Sequence, residues 1–257
     1  MRIQDQLGRT IELKETPVRI ISLVPSQTEL LVDLGLEKFI VGITHYCVHP
    51  TYLKQIKISV GGTKKVNLRK VKELQPDIIL CNKEENTKEM VEDLEKIAPV
   101  HVSDVANIED AYRLMKDYGS IFKCEELAST IVKSIQKKAQ KLKEIVVNST
   151  EKRVAYFIWN KPLMVAGTGT FIDEMLSLNK FKNVFSAERY PQANLEELKD
   201  LDIEICLLSS EPFPFKEEHK FQFQNVSKEA KIVDGEYFSW YGSRLLEAMD
   251  YFKQFHS

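Results

Sequence analysis

Basic excess is the first thing this chain lacks. Lys and Arg number 36 against 38 Asp and Glu, a net charge of −2. Without a cationic surplus to neutralise phosphates, a nucleic-acid binder or a polybasic membrane-surface protein is not expected. Ten glycines and nine prolines in 257 residues exclude collagen-like and low-complexity chains. No apolar run approaches the roughly 18–20 residues that span a bilayer, so no transmembrane segment is expected. The first residues, Met1 to Arg9, carry no apolar h-region. The chain reads as cytoplasmic if Met1 is native, and as periplasmic or cell-surface if a leader was removed. The four cysteines (Cys47, Cys81, Cys124 and Cys206) are scattered with no CxxC pair, a pattern of small buried apolar residues more than of bridges or ligands. There is no GxSxG, HExxH or GxxxxGK[ST] motif, and no nucleophile–base–orienter set can be assembled. The chain is read as a non-enzyme needing no cofactor.

What is present is alternation. At 43% hydrophobic, 257 residues can bury one large core or two smaller ones. Arg19–Val24 reads as a buried strand. Pro25 stops it, and Ser26-Gln27-Thr28-Glu29 has the form of a capping box opening a helix that Gly35 closes. Residues 39–43 read as the next strand, 67–74 as a helix, 77–81 as a strand, 84–97 as a helix, 99–102 as a strand and 107–118 as a helix. Strand–helix–strand repetition of this kind builds a parallel sheet. From Cys124 to Val147, apolar residues recur mostly every fourth position with lysines between them and no Gly or Pro. That predicts one helix of about 23 residues, roughly 35 Å long. The alternation then resumes, with strands at 153–159, 203–208 and 231–233 and helices at 171–178, 194–201 and 243–255.

The stretch Asn67 to Leu80 matches Asn194 to Leu207 at an offset of 127 with no gap, Asn-Leu opening each and Ile-x-Leu closing each. This supports two similar lobes. The expected fold is α/β: two Rossmann-like lobes with parallel sheets, residues 1–120 and 149–257, joined by a long helix at 121–148, with a ligand cleft between the lobes.

Candidate site residues fall in loops after strands, where parallel sheets collect ligands. In Thr44-His45-Tyr46-Cys47-Val48-His49-Pro50, an extended backbone would point His45, Cys47 and His49 the same way, an array suited to a transition metal. A non-exported metal- or cofactor-binding protein using that loop is the alternative function. Gly61-Gly62-Thr63 precedes a helix and offers backbone N–H groups to a polar ligand edge or an anion. The loops holding Lys83, and Ser210 with Glu211, follow the two repeat-related strands. Aromatics crowd near Gly and Pro at Trp159, at Tyr190, and at Phe238 and Trp240. They suit a flat, bulky ligand, with Arg244 available for a carboxylate or phosphate.

Arg19-Ile20-Ile21-Ser22-Leu23-Val24-Pro25-Ser26-x-Thr28-Glu29-Leu30-Leu31, Val41-Gly42-Ile43-Thr44-x-Tyr46-Cys47-x-x-Pro50, Asn67-Leu68 and Pro76-Asp77-Ile78-Ile79-Leu80 together resemble the cobalamin-binding branch of the class III periplasmic binding proteins, the helical-backbone metal receptors of ABC importers for vitamin B12, siderophores and haem. The similarity runs from about Gly8 to Phe252. It implies two lobes stiffened by the long helix, a corrinoid or other metal chelate held between them, and an ABC permease as partner. Tyr46 matches an aromatic that meets the ligand in that branch, and Tyr190 matches one that is commonly Trp. Thr63 stands where the vitamin-binding member has an aromatic, and Trp240 where it has an arginine. The family docks through one glutamate per lobe. Glu196 matches the second, whereas Arg69 occupies the position of the first.

Overall fold

The computed structural model describes residues 1–256, whose contacts group into two compact units. The first unit comprises Met1–Val105, Glu109–Ile135 and Tyr241–Arg244, and the second comprises Ala106–Ile108, Gln136–Trp240 and the chain from Leu245 onward.

The chain begins with an antiparallel pair, β1 (Arg2–Gln4) and β2 (Thr10–Glu12). There follow β3 (Ile20–Ser22), α1 (Pro25–Asp33), β4 (Ile40–Thr44), α2 (Leu53–Ile56), β5 (Ile58–Gly61), α3 (Leu68–Glu73), β6 (Ile78–Asn82), α4 (Lys88–Glu95), β7 (Val100–Ser103) and α5 (Ile108–Phe122). The five strands from β3 to β7 form a parallel sheet in the order β5-β4-β3-β6-β7. Strands β3, β6 and β7 are buried at every residue. The near-continuous apolar sequences around β3 and β6 reflect a sheet covered on both faces. One face packs Ile21, Leu23, Ile79, Cys81, Val100 and Val102 against Val71, Met90, Val91 and Leu94.

Helix α6 (Glu125–Val146) has 22 residues, about 33 Å at 1.5 Å per residue. Residues 125–135 group with the first unit and residues 136–146 with the second. Gly119 on α5 lies so near α6 that an added Cβ would come within 2.8 Å of the Ala128 methyl. The second unit then adds β8 (Lys152–Trp159), β9 (Met164–Val165), α7 (Phe171–Leu178), β10 (Phe181–Asn183), α8 (Leu195–Leu198), β11 (Ile203–Ser209), β12 (Ser227–Val233), α9 (Gly235–Ser239) and α10 (Leu245–Phe252). Strands β10-β8-β11-β12 are parallel, and β9 runs antiparallel to β8.

Both sheets reverse their winding direction once. In the first unit the chain leaves β3 toward β4 and β5, then returns to β6 and β7 on the other side. In the second it leaves β8 toward β10, then returns to β11 and β12. The crevice beyond the carboxyl ends of β3 and β6, and that beyond β8 and β11, are therefore topological switch points, where open α/β sheets place their ligands.

Two local expectations are corrected. Helix α1 has no capping box: its N-cap is Val24, with Pro25 at the first helical position and no side-chain cap. Pro25 presets the helical φ, which draws Ser26 to Glu29 inside the helix. Thr28 Oγ1 instead donates back to the Val24 carbonyl at 3.0 Å. The helix expected from residue 84 begins at Lys88, because Asn82 Oδ1 accepts from the backbone N–H groups of Glu84 (2.8 Å) and Glu85 (3.2 Å) and holds them in a turn. Thr87 then caps α4 by accepting from Met90 N.

Candidate functional site

In the first unit, the switch point is filled from below by a buried polar network. Gln27 Nε2 donates to Ser103 Oγ at 2.6 Å, and Tyr118 OH donates to Gln27 Oε1 at 2.6 Å. Asn82 Nδ2 donates to Ser103 Oγ at 3.0 Å. Tyr241, in the strand of chain that rejoins this unit, places its hydroxyl 3.4 Å from Gln27 Nε2. Above this floor the loop after β4 lifts Tyr46 into solvent, with 54% of its surface exposed. Its ring lies 4.2 Å from the His45 ring. Gly62 passes beneath both: a Cβ there would sit 3.1 Å from His45 Cε1 and 3.3 Å from Tyr46 Cε2. A glycine at this position leaves room for the two rings.

The His45/Cys47/His49 metal reading is overturned. His45 and Tyr46 form a turn in place of extended strand, so period-two alternation is lost. Cys47 is fully buried, with its sulfur 3.0 Å from Thr28 Oγ1 and 3.3 Å from Thr44 Oγ1. Burial pushes its thiol pKa up, which disfavours the thiolate a metal requires. Among the described residues, no three His, Cys, Asp or Glu side chains converge on a metal position.

The Gly61-Gly62-Thr63 loop is a closed turn. Gly62 N donates to Lys65 O at 2.8 Å, and Thr63 O accepts from Asn86 Nδ2 at 2.7 Å. The Gly62 N–H expected for a ligand is thus used within the turn. Lys83 is exposed and pairs with Asp104 at 2.6 Å.

Arg244 is held elsewhere than expected. Its guanidinium grips Glu29 through two bonds, Nε to Oε2 at 2.8 Å and Nη2 to Oε1 at 2.5 Å. Burial raises the Glu29 pKa, and the hydrogen bonds and charge of Arg244 offset part of that rise. The pair fastens residues 241–244 to α1. Gly242, at φ 154°, passes so near α1 that a Cβ would meet the Ser26 carbonyl oxygen at 3.1 Å.

In the second unit, Trp159 ends β8 with 39% of its surface exposed, its indole donating to Lys161 O at 3.0 Å and its ring edge-on to Phe213. Tyr190 is half-buried, next to Arg189 at φ 66°. Its loop is tied down by Gly167 N donating to Arg189 O at 2.7 Å and Thr168 N donating to Ala187 O at 2.9 Å. A Cβ on Gly167 would lie 2.0 Å from the Ala187 carbonyl oxygen, so glycine alone permits this approach. Phe238 is corrected from a ligand contact to a core residue: it is fully buried against Tyr156 and Phe252, ring centroids 5.1 and 4.9 Å away. Trp240 is 6% exposed, and its indole donates to Glu211 Oε1 at 3.0 Å.

Ser239 Oγ donates to the same Glu211 oxygen at 2.7 Å. Ser209 Oγ bonds the Glu211 carbonyl and accepts from Tyr156 OH at 3.1 Å. Ser210 Oγ accepts from Gly235 N at 3.0 Å. Burial lifts the Glu211 pKa, the neighbouring Glu236 and Asp234 add to the rise, and the two donated hydrogen bonds counter it. Glu196, on the first turn of α8, is exposed and paired with Lys199 at 2.6 Å. Arg69, on the first turn of α3, is exposed and paired with Glu73 at 2.8 Å.

Sequence reading missed Gln27 and Ser103. Each is a polar residue in or beside an apolar run, and that mismatch is the signal that could have found them. It also missed that Glu29 would claim Arg244, a partner 215 positions away.

A family model described as periplasmic binding protein matches residues 20–231. The chain is 29% identical over 190 residues to the ABC transporter substrate-binding lipoprotein YvrC of Bacillus subtilis, a match covering 70% of this chain and 60% of that protein's length. It is 23% identical over 237 residues to a vitamin B12-binding protein of Pectobacterium carotovorum, covering 90% and 86%. In fold it is similar to a periplasmic heme-binding protein from Pseudomonas aeruginosa, with a TM-score of 0.83, 20% identity, and 93% and 92% of the two chains covered. With a family match spanning both sheets, the chain belongs to the periplasmic binding proteins.

Proposed function

We propose that this protein is the solute-binding component of an ABC importer, and that its solute is a flat, bulky metal chelate of the corrinoid or haem type. The observation that carries this reading is the exposure of Tyr46 and Trp159, large rings set on the loop after β4 and at the carboxyl end of β8. Exposed aromatics at strand ends are poorly explained by core packing, and a ring covered by a planar macrocycle contributes on the order of 2 kcal/mol. Tyr190 extends the same kind of surface. A relative in sequence is a vitamin B12-binding protein and a relative in fold is a heme-binding protein, which supports the chelate class. The lipoprotein relative supports an extracytoplasmic location. Among the described residues no helix is long and apolar enough to cross a membrane, so delivery across the bilayer would fall to a permease.

Glu196 is the proposed contact to that permease on the second unit. On the first unit, Arg69 presents the opposite charge, so an arginine partner there would be repelled. The matching permease would carry an acidic residue at that position.

The experiment is a titration of cyanocobalamin, cobinamide, haem and ferric siderophores into the protein, read by quenching of Trp fluorescence. Saturable binding of at least one chelate at low micromolar concentration is expected. No binding of any of them at tens of micromolar would overturn the proposal.

A further inference from the structure

Glu211 sits at the switch point of the second unit, two residues beyond β11. Its environment is unusual for a carboxylate. Both donors that reach it, Ser239 Oγ at 2.7 Å and Trp240 Nε1 at 3.0 Å, converge on Oε1. Oε2 receives no hydrogen bond and is not sealed from solvent, for it is absent from the buried polar atoms that lack a partner. No arginine or lysine pairs with Glu211 among the described residues. The charged groups that act on it are Glu236 and Asp234, both of its own sign.

The side chain is nevertheless built in place. Gly235 would drive a Cβ to 2.7 Å from Glu211 Cγ and 2.3 Å from Ser209 Oγ, so only glycine leaves space for the carboxylate arm. Held this way, one oxygen is saturated by neutral donors and the other keeps some solvent contact without a counter-charge. A half-buried acceptor in acidic surroundings carries a standing desolvation cost, which a donor arriving with the ligand would relieve.

We infer that Glu211 is the specificity-determining residue of this unit: Oε2 accepts a hydrogen bond from an N–H group on the rim of the bound chelate, and so selects ligands rimmed by amides or amines over ligands rimmed by carboxylates. The inference rests on the chelate-binding reading above. Arg244, the cation that sequence placed near a ligand carboxylate, is taken up by Glu29. A carboxylate-edged ligand would meet Glu211 as a like charge, and like charges at contact repel.

Dicyanocobinamide and dicyanocobyrinic acid make the test. They share one corrin ring; the first is rimmed by amides and the second by carboxylates. Affinity for each, and for haem with its propionates, is measured by equilibrium titration for the wild type and for Glu211→Gln. The Gln amide oxygen can still accept from Ser239 and Trp240, so the variant should fold, and a thermal melt checks this. The wild type should prefer the cobinamide by at least about tenfold, the scale of one hydrogen bond to a charged group. Glu211→Gln should lose most of that preference by gaining affinity for the carboxylate-rimmed ring. Equal wild-type affinities for the two corrinoids, or an unchanged ratio in the variant, overturn the inference. Tight binding of haem alone overturns it while leaving the chelate reading intact; absence of binding to every chelate removes both.

Discussion

At the scale of single residues, the interior of the first unit holds two polar groups that act in opposite ways on stability. His101 on β7 is fully buried, with neither ring nitrogen hydrogen-bonded and its ring edge-on to Tyr118 at 5.5 Å. Desolvation lowers its pKa to about 4. The folded state therefore binds fewer protons than the unfolded state between that value and the ordinary 6.5. Stability conferred by neutral His101 is complete above about pH 6.5 and falls as pH drops toward 4, by up to about 3 kcal/mol. His101→Phe should flatten that part of the curve, measured as the urea midpoint between pH 4 and 7; an unchanged slope would contradict it. Arg244 supplies the second case. Arg244→Leu leaves Glu29 half-buried without its partner, and the loss should be about 3 kcal/mol at pH 7. Because the orphaned carboxyl would rise further above its ordinary pKa, protonation should soften the loss at pH 5. A loss that is the same at both pH values would show that packing, not charge, dominates.

At the scale of elements, what sequence could show depended on whether a partner was local. Strands β3, β6 and β11 announced themselves as continuous apolar runs because both faces of their sheets are covered. Helix α6 was legible from its period, and α7 was expected at its observed bounds. Strand β5 was missed, since it is short and Ile58 and Ser59 are exposed, and β9 and β10 are only two and three residues long. The loops that carry the proposed site were locatable because each follows a recognisable strand. The roles of Arg244 and Phe238 were not, because Glu29 and Tyr156 are remote in sequence and become neighbours only through folding. The repeat at offset 127 proved to be structural: Asn67 caps α3 by accepting from Lys70 N, and Asn194 caps α8 by accepting from Glu196 N, each ahead of a buried parallel strand. Asn67→Ala and Asn194→Ala should each cost about 1 kcal/mol in denaturant unfolding. A cost near zero for both would mean the matched asparagines reflect ancestry of the sequence and not a present need.

At the scale of the whole molecule, two switch points of the same kind recur on one chain, each rimmed by an exposed ring. Neutral hydroxyl and amide networks floor the first, and a carboxylate marks the second. Each ring offers apolar contact to a solute, and polar groups stand beside each. The most direct measurement is calorimetric titration of cyanocobalamin and haem into the wild type, Tyr46→Ala and Trp159→Ala. For whichever chelate binds, at least one of the two substitutions should weaken affinity about thirtyfold, as removal of roughly 2 kcal/mol of ring contact requires. Binding that is indifferent to both substitutions, or no binding to either chelate, would contradict the account.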